Sequence, residues 1–304
     1  MGVNLGVRSP TQMSVQRWAW AAIAANTIIV LTGGLVRLTG SGLGCPTWPK
    51  CTDDSFVPRG ELGVHGVIEF GNRMLTYVLV AVVVATFIAV RRWVGSTVET
   101  RRLALIITIG VPLQAVIGGI SVLTNLNPWV VSLHLLLSMV LVAVSMLLVV
   151  RVRDSNALVV PRAHAQLVLV TYVTLWVVVY LGTVVTGSGP HAGDAESPRN
   201  GLDPQLMSQV HAASVYLLIA LTVACCVVLR GTHPGRLAVL VLGVELAQGA
   251  IGFIQYFTDL PIALVAAHLV GAAVLVAAGT RLLLAVVSPV GVPAVDPPVG
   301  ARRR

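Results

Sequence analysis

Four histidines, His65, His134, His211 and His268, together with Glu69, are the side chains of this sequence best placed to do chemistry, because each falls in, or at the very start of, a long apolar stretch. Ionisable groups in such surroundings are costly and persist where they have a partner or a task. Imidazoles approaching one space from different helices suit axial ligation of a low-spin haem. His211 and His268 form one such pair. Neither CxxCH nor HExxH occurs, so covalent c-type haem and a zincin-type metal site lose support. Glu69 is followed four residues later by Arg73. It is either a proton acceptor in apolar surroundings or half of a structural i, i+4 ion pair. Glu245, in a later apolar stretch, has no partner visible in the sequence; a proton path and a hydrogen bond to a neighbouring helix are both open. His164 and His233 fall in connections and read as solvated, and His191 lies in a loop where it could also shuttle protons or touch a ligand.

Membrane helices are what must position these residues. With 56% hydrophobic and 11% charged residues and a mean hydropathy of +0.88, the chain is too apolar for a soluble domain of its size. Segments long enough to cross a bilayer, which takes about 20 apolar residues, fall near 18–38, 66–90, 103–123, 129–150, 165–186, 207–229, 237–257 and 261–287. The last break rests only on Thr258, Asp259 and Pro261. The fold class expected is therefore an all-α integral membrane protein with eight spans.

A net charge of +8 invites a nucleic-acid reading, but the distribution of arginines argues against it. Arg8, Arg17, Arg91, Arg92, Arg101, Arg102, Arg151, Arg153, Arg162, Arg230, Arg236, Arg281 and Arg302 to Arg304 all fall on one side of an eight-span alternation. The positive-inside rule makes that side cytoplasmic. Both termini are then inside, loops 39–64 and 187–206 face outward, and the chain sits in the cell membrane among lipids, with no nucleic-acid partner. Residues 1–16 read as an unstructured tail without a cleavable signal. The Pro-rich stretch 288–304 reads as a second tail whose basic end meets anionic lipid.

Cys45 and Cys51 share the first outer loop, where oxidising conditions permit a disulfide. A redox or lid-fixing role and a purely structural staple both remain open. Cys225 and Cys226 lie within an apolar helix and read as small packing residues.

Internal similarity organises these elements. TGSG at 39–42 returns at 186–189, QAVIGGI at 114–120 is echoed by QGAIGFI at 248–254, and His134 and His268 follow those two motifs at the same distance. Matching spacing of this kind marks a duplication. It implies two four-helix halves, 17–150 and 165–287, joined by 151–164 and crossing the membrane in the same sense. Each half then has two histidines near the outer ends of its even-numbered helices.

In order along the chain, GGLVRLTGSGLGCPTWPKC (33–51), IEFGNR (68–73) and the histidines of helices four, six and eight resemble the haem A synthase family of bacterial and mitochondrial membranes. The resemblance covers nearly all eight helices. It implies oxidation of a methyl substituent of haem O, in successive steps, to the formyl group of the haem A used by terminal oxidases. It also implies a haem b cofactor between His211 and His268 and a substrate haem in the first half, with His134 as an iron ligand. Haem O synthase and terminal oxidase assembly factors are the implied partners. Arg37 and Arg73 are candidates for the haem propionates, against ordinary interfacial snorkelling.

One position departs from the family pattern, in which histidine and arginine follow the glutamate of the second helix by three residues; here Asn72 stands where the histidine is expected. His65 shares a helical face with Glu69 and Asn72, by i, i+4, i+7 spacing. It lies seven residues away, about 10.5 Å along the axis. It could replace the missing ligand only with a shifted haem or a bent helix end, which leaves His134, His65 and Asn72 as the substrate-site residues. A different class of function is a non-enzymatic bis-histidine di-haem electron carrier. A transporter suits a duplicated bundle but not four histidines at one depth. Glu69 and the cysteine loop favour the enzyme, and the lack of cysteine in the second outer loop favours the first half as the working site.

Overall fold

Backbone groups in lipid must be satisfied within the segment that carries them, and each apolar stretch does so as one continuous helix: α1 (Gln12–Leu38), α2 (Gly63–Arg92), α3 (Val98–Leu123), α4 (Pro128–Arg153), α5 (Arg162–Ser188), α6 (Pro204–Val228), α7 (His233–Phe257) and α8 (Ile262–Leu284). The computed structural model describes residues 9–153 and 157–287. The expected tails at 1–8 and 288–304 and the linker residue Asp154 lie outside them. Among the described residues, eight helices are long and apolar enough to cross a membrane, so the chain is an all-helical, multi-pass membrane protein as expected.

Helix starts follow local chemistry. Thr97 and Thr100 form a capping box on α3, Asp203 caps α6 ahead of Pro204, and Thr232 caps α7. Two boundaries differ from the sequence reading. Residues 12–16, expected in a tail, already belong to α1, because the Thr11 hydroxyl accepts from Ser14 N–H and Gln12 Nε2 donates to the Val152 carbonyl at 2.8 Å. Residues 286–287, expected to continue the last helix, instead form β2 (Val286–Val287), paired in parallel with β1 (Leu158–Val159) from the linker. The Leu158 and Val160 amides would otherwise lack acceptors, and they donate to the Ala285 and Val287 carbonyls at 2.9 and 3.0 Å.

The helices form two rings. In one, α1, α2, α3 and α4 are neighbours in that order and α4 returns to α1; in the other, α5 to α8 do the same. Even-numbered helices therefore stand diagonally, α2 across from α4 and α6 across from α8, without a packed interface between them. The rings meet where α8 packs on α1 and α4, and α4 packs on α5. At this seam a Cβ on Gly34 would lie 2.3 Å from Leu269 Cδ2, so any larger residue there would have to displace the leucine methyl.

The α3–α4 and α7–α8 turns share an unusual conformation. Asn125 and Leu126 have φ of 51° and 57°, and Asp259 and Leu260 have φ of 55° and 56°. Leucine in the left-handed region is strained by about 1–2 kcal/mol, and the surroundings hold it there. Leu126 is wedged between Gly42 and Gly193, where a Cβ would come within 2.6 and 2.9 Å of its Cδ1. The Leu260 carbonyl lies 3.2 Å from His191 Nε2, so His191 latches a turn.

Candidate functional site

Three of the four helix histidines sit on a glycine of the preceding helix. A Cβ on Gly118 of α3 would lie 3.4 Å from His134 Cε1, on Gly182 of α5 3.3 Å from His211 Cε1, and on Gly252 of α7 3.7 Å from His268 Cε1. Each imidazole thus lies against backbone that carries no side chain. Nδ1 of all three is buried and, among the described residues, without a hydrogen-bond partner. The three residues are half-buried, so with Nδ1 turned into the protein, Nε2 is the nitrogen on the open side. His211 and His268 stand on diagonal helices, close enough to interact electrostatically. Imidazoles so placed in an apolar ring are chemically able to hold a haem from its two sides.

The first ring adds a second constellation. Cys45 and Cys51 are joined in a disulfide and are both fully buried. Glu69, 6% exposed, accepts the Cys45 backbone N–H through Oε2 and pairs through Oε1 with Arg73 Nη2 at 2.6 Å. The terminal nitrogens of Arg73 also donate to the carbonyls of Cys45, Thr47, Pro49 and Lys50, at 3.1, 3.0, 3.5 and 3.0 Å. The planar fork of a guanidinium suits such multiple donation. Arg73 is a clamp that fastens the disulfide loop to α2, and its terminal donors are engaged within the protein.

Asn72 and His65 differ sharply in setting. Asn72 Oδ1 accepts from the Thr32 hydroxyl at 2.7 Å, and its Nδ2 would lie 3.8 Å from a Cβ on Gly33 of α1. It therefore faces a glycine of the preceding helix as the three histidines do. His65 is exposed in the first turn of α2, with Nδ1 2.9 Å from Ser41 Oγ, and has no such seat. Arg37 ties the end of α1 to the end of α5 and the loop after it, donating from Nε to the His191 carbonyl at 2.6 Å and from Nη2 to the Thr186 carbonyl at 2.9 Å.

Glu245 is 2% exposed, and its Oε1 accepts from Thr222 Oγ1 of α6 at 2.8 Å, while Oε2 has no partner among the described residues. The inter-helix hydrogen bond left open by the sequence is thus present. The seating glycines were not singled out from the sequence, although the glycine shared by QAVIGGI and QGAIGFI was the available signal.

Comparison with known proteins adds an independent line. A family model described as cytochrome oxidase assembly protein matches residues 16–280. Heme A synthase of Listeria welshimeri is 31% identical over 132 residues, 43% of each chain. That of Lysinibacillus sphaericus is 29% identical over 176 residues, 55% of this chain and 57% of the relative. That of Geobacillus kaustophilus is 31% identical over 138 residues, 45% of this chain and 43% of the relative. The chain spans about half the length of the curated relatives it matches. The family match is broader than these pairwise ones and runs from α1 into α8, leaving neither ring outside it: the chain belongs to the haem A synthase family of cytochrome oxidase assembly proteins.

Proposed function

We propose that this chain oxidises a methyl group of haem O to the formyl group of haem A, with substrate received by the first half, 17–150, and a haem b held between His211 and His268 in the second, 165–287. The observation that carries this reading is a difference between the halves. Both seat a histidine on glycine, but only the first adds a buried glutamate under a disulfide loop, and that loop reaches the turn of α3 that seats His134. The names of the relatives support the same chemistry.

His211 and His268 would hold haem b through Nε2, with Nδ1 turned to the protein and apolar walls excluding water. The bound group would supply one-electron redox chemistry. In the first half, His134 is the imidazole seated on glycine, whereas Asn72 offers a carboxamide tied to Thr32 and no basic nitrogen. Oxidising a methyl carbon releases protons, and Glu69 is the one buried carboxylate of that half among the described residues. A proton arriving at Oε1 replaces Arg73 Nη2, while the loop carbonyls keep the guanidinium in place. The arginine-rich end of the bundle supports a cytoplasmic orientation of both termini in the cell membrane, and with it a site near the outer surface. Haem O synthase and terminal oxidase assembly factors are the proposed partners.

Purified protein tests the assignment through its pigment. His211→Leu and His268→Leu should each remove the low-spin haem spectrum, and His134→Leu should retain it while haem A formation stops. Unchanged spectra in both of the first two variants would sink the haem b site. Bound haem without conversion of a co-expressed haem O supply would favour the electron carrier.

The glycine seats give a finer test. Gly252→Ala has room at 3.7 Å and should leave the spectrum unchanged, with a helix stability gain of up to about 1 kcal/mol. Gly182→Ala, at 3.3 Å, forces His211 to move and should alter it. Identical spectra would show that Gly182 does not set the position of the ring.

A further inference from the structure

We propose that Trp48 is a positioning residue of the first half, a wall held over the substrate site beside His134 that slows the escape of a bound haem. The inference rests on the reading that the first half receives substrate. Its basis is a contact between the disulfide loop and α3. A Cβ on Gly119 would lie 2.3 Å from Trp48 Cδ2 and 2.6 Å from Cε2 and Cγ, so the indole rests on bare helix backbone. The residue before it, Gly118, seats His134. Adjacent glycines therefore carry the loop's aromatic ring and the candidate iron ligand.

The loop that brings Trp48 there is fastened on both sides of it. Arg73 holds the Thr47 and Pro49 carbonyls, which flank the tryptophan, and the disulfide closes the loop around it. The second half lacks the arrangement. Gly252 seats His268, but Phe253 takes the place of Gly119 in the echoed motif and points outward, 53% exposed. Loop 189–203 contains neither tryptophan nor cysteine. The second half seats two imidazoles on glycine, whereas the first seats only His134, so a wall supplies there the retention that a second ligand would give. The asymmetry falls on the half in which a buried glutamate, Glu69, lies under the disulfide loop.

Haem dissociation tests this without reading turnover. Detergent-solubilised full-length protein loaded with haem O is mixed with apomyoglobin, and haem transfer is followed by absorbance, with His134→Leu identifying the phase that belongs to the first half. Trp48→Ala should accelerate that phase about tenfold or more and leave the His211/His268 phase unchanged, with Trp48→Phe between it and wild type. Gly119→Ala pushes the indole out from the helix side with the loop chemically intact, and should do the same. A retained slow phase reports that the bundle is folded; if Trp48→Ala loses it, Gly119→Ala decides. An unchanged first-half phase in Gly119→Ala would overturn the role of Trp48 alone. Absence of any His134-dependent phase in the wild-type protein would overturn the substrate reading, and this inference with it.

Discussion

Glu69→Gln is expected to keep the haem held by His211 and His268 and to lower haem A formation by about 10²–10⁴, the usual contribution of one general base. The substitution is nearly isosteric. A glutamine oxygen can still accept the Cys45 backbone N–H, and Arg73 keeps its loop carbonyls, so the loop stays in place. What is lost is the ability to take up a proton. Extraction and chromatography of haems from cells supplied with haem O should show haem O or a partly oxidised product accumulating. Normal haem A from this variant would reduce Glu69 to a structural partner of Arg73.

Removal of the other partner should fall on stability instead. In Arg73→Met the Glu69 carboxylate, whose side chain is 7% exposed, is left without its counter-charge, and the loop carbonyls lose their donor. Breaking a buried pair from one side typically costs about 3–5 kcal/mol. The variant should unfold at markedly lower denaturant in detergent, and its Cys45–Cys51 bond should be reduced faster. Adding Glu69→Gln should restore part of the loss, because no buried charge is then unpaired; the double-mutant cycle isolates the pair. Wild-type stability together with wild-type disulfide protection in Arg73→Met would dismiss the clamp.

How far the sequence reveals this molecule depends on the range of each interaction. Hydropathy and arginine placement depend only on a residue's own segment, so all eight spans were legible, and two cysteines six residues apart in one loop gave the disulfide. The glycine seats were not, because Gly182 and His211 meet only once α5 and α6 have packed. Arg73 read as the partner of Glu69 by spacing, yet its contacts to four carbonyls more than twenty residues earlier require the loop to fold back over α2. The start of α1 was missed because a Thr11 cap looks like any polar tail. The β1–β2 pair was missed because two-residue strands leave no periodicity to read.

The seam between the rings has a consequence of its own. α4 meets α8, and the α1–α8 contact is matched by α5–α4, so exchanging the rings exchanges the contacts. That is the pattern of an isologous interface, the kind by which two identical subunits pair about a two-fold axis. A true homodimer built this way must carry the same residues at both of its sites. Covalent continuity through the linker removes that requirement and holds the partners at a high effective concentration. One ring can therefore keep Glu69, Trp48 and the disulfide while the other keeps only its two seated histidines.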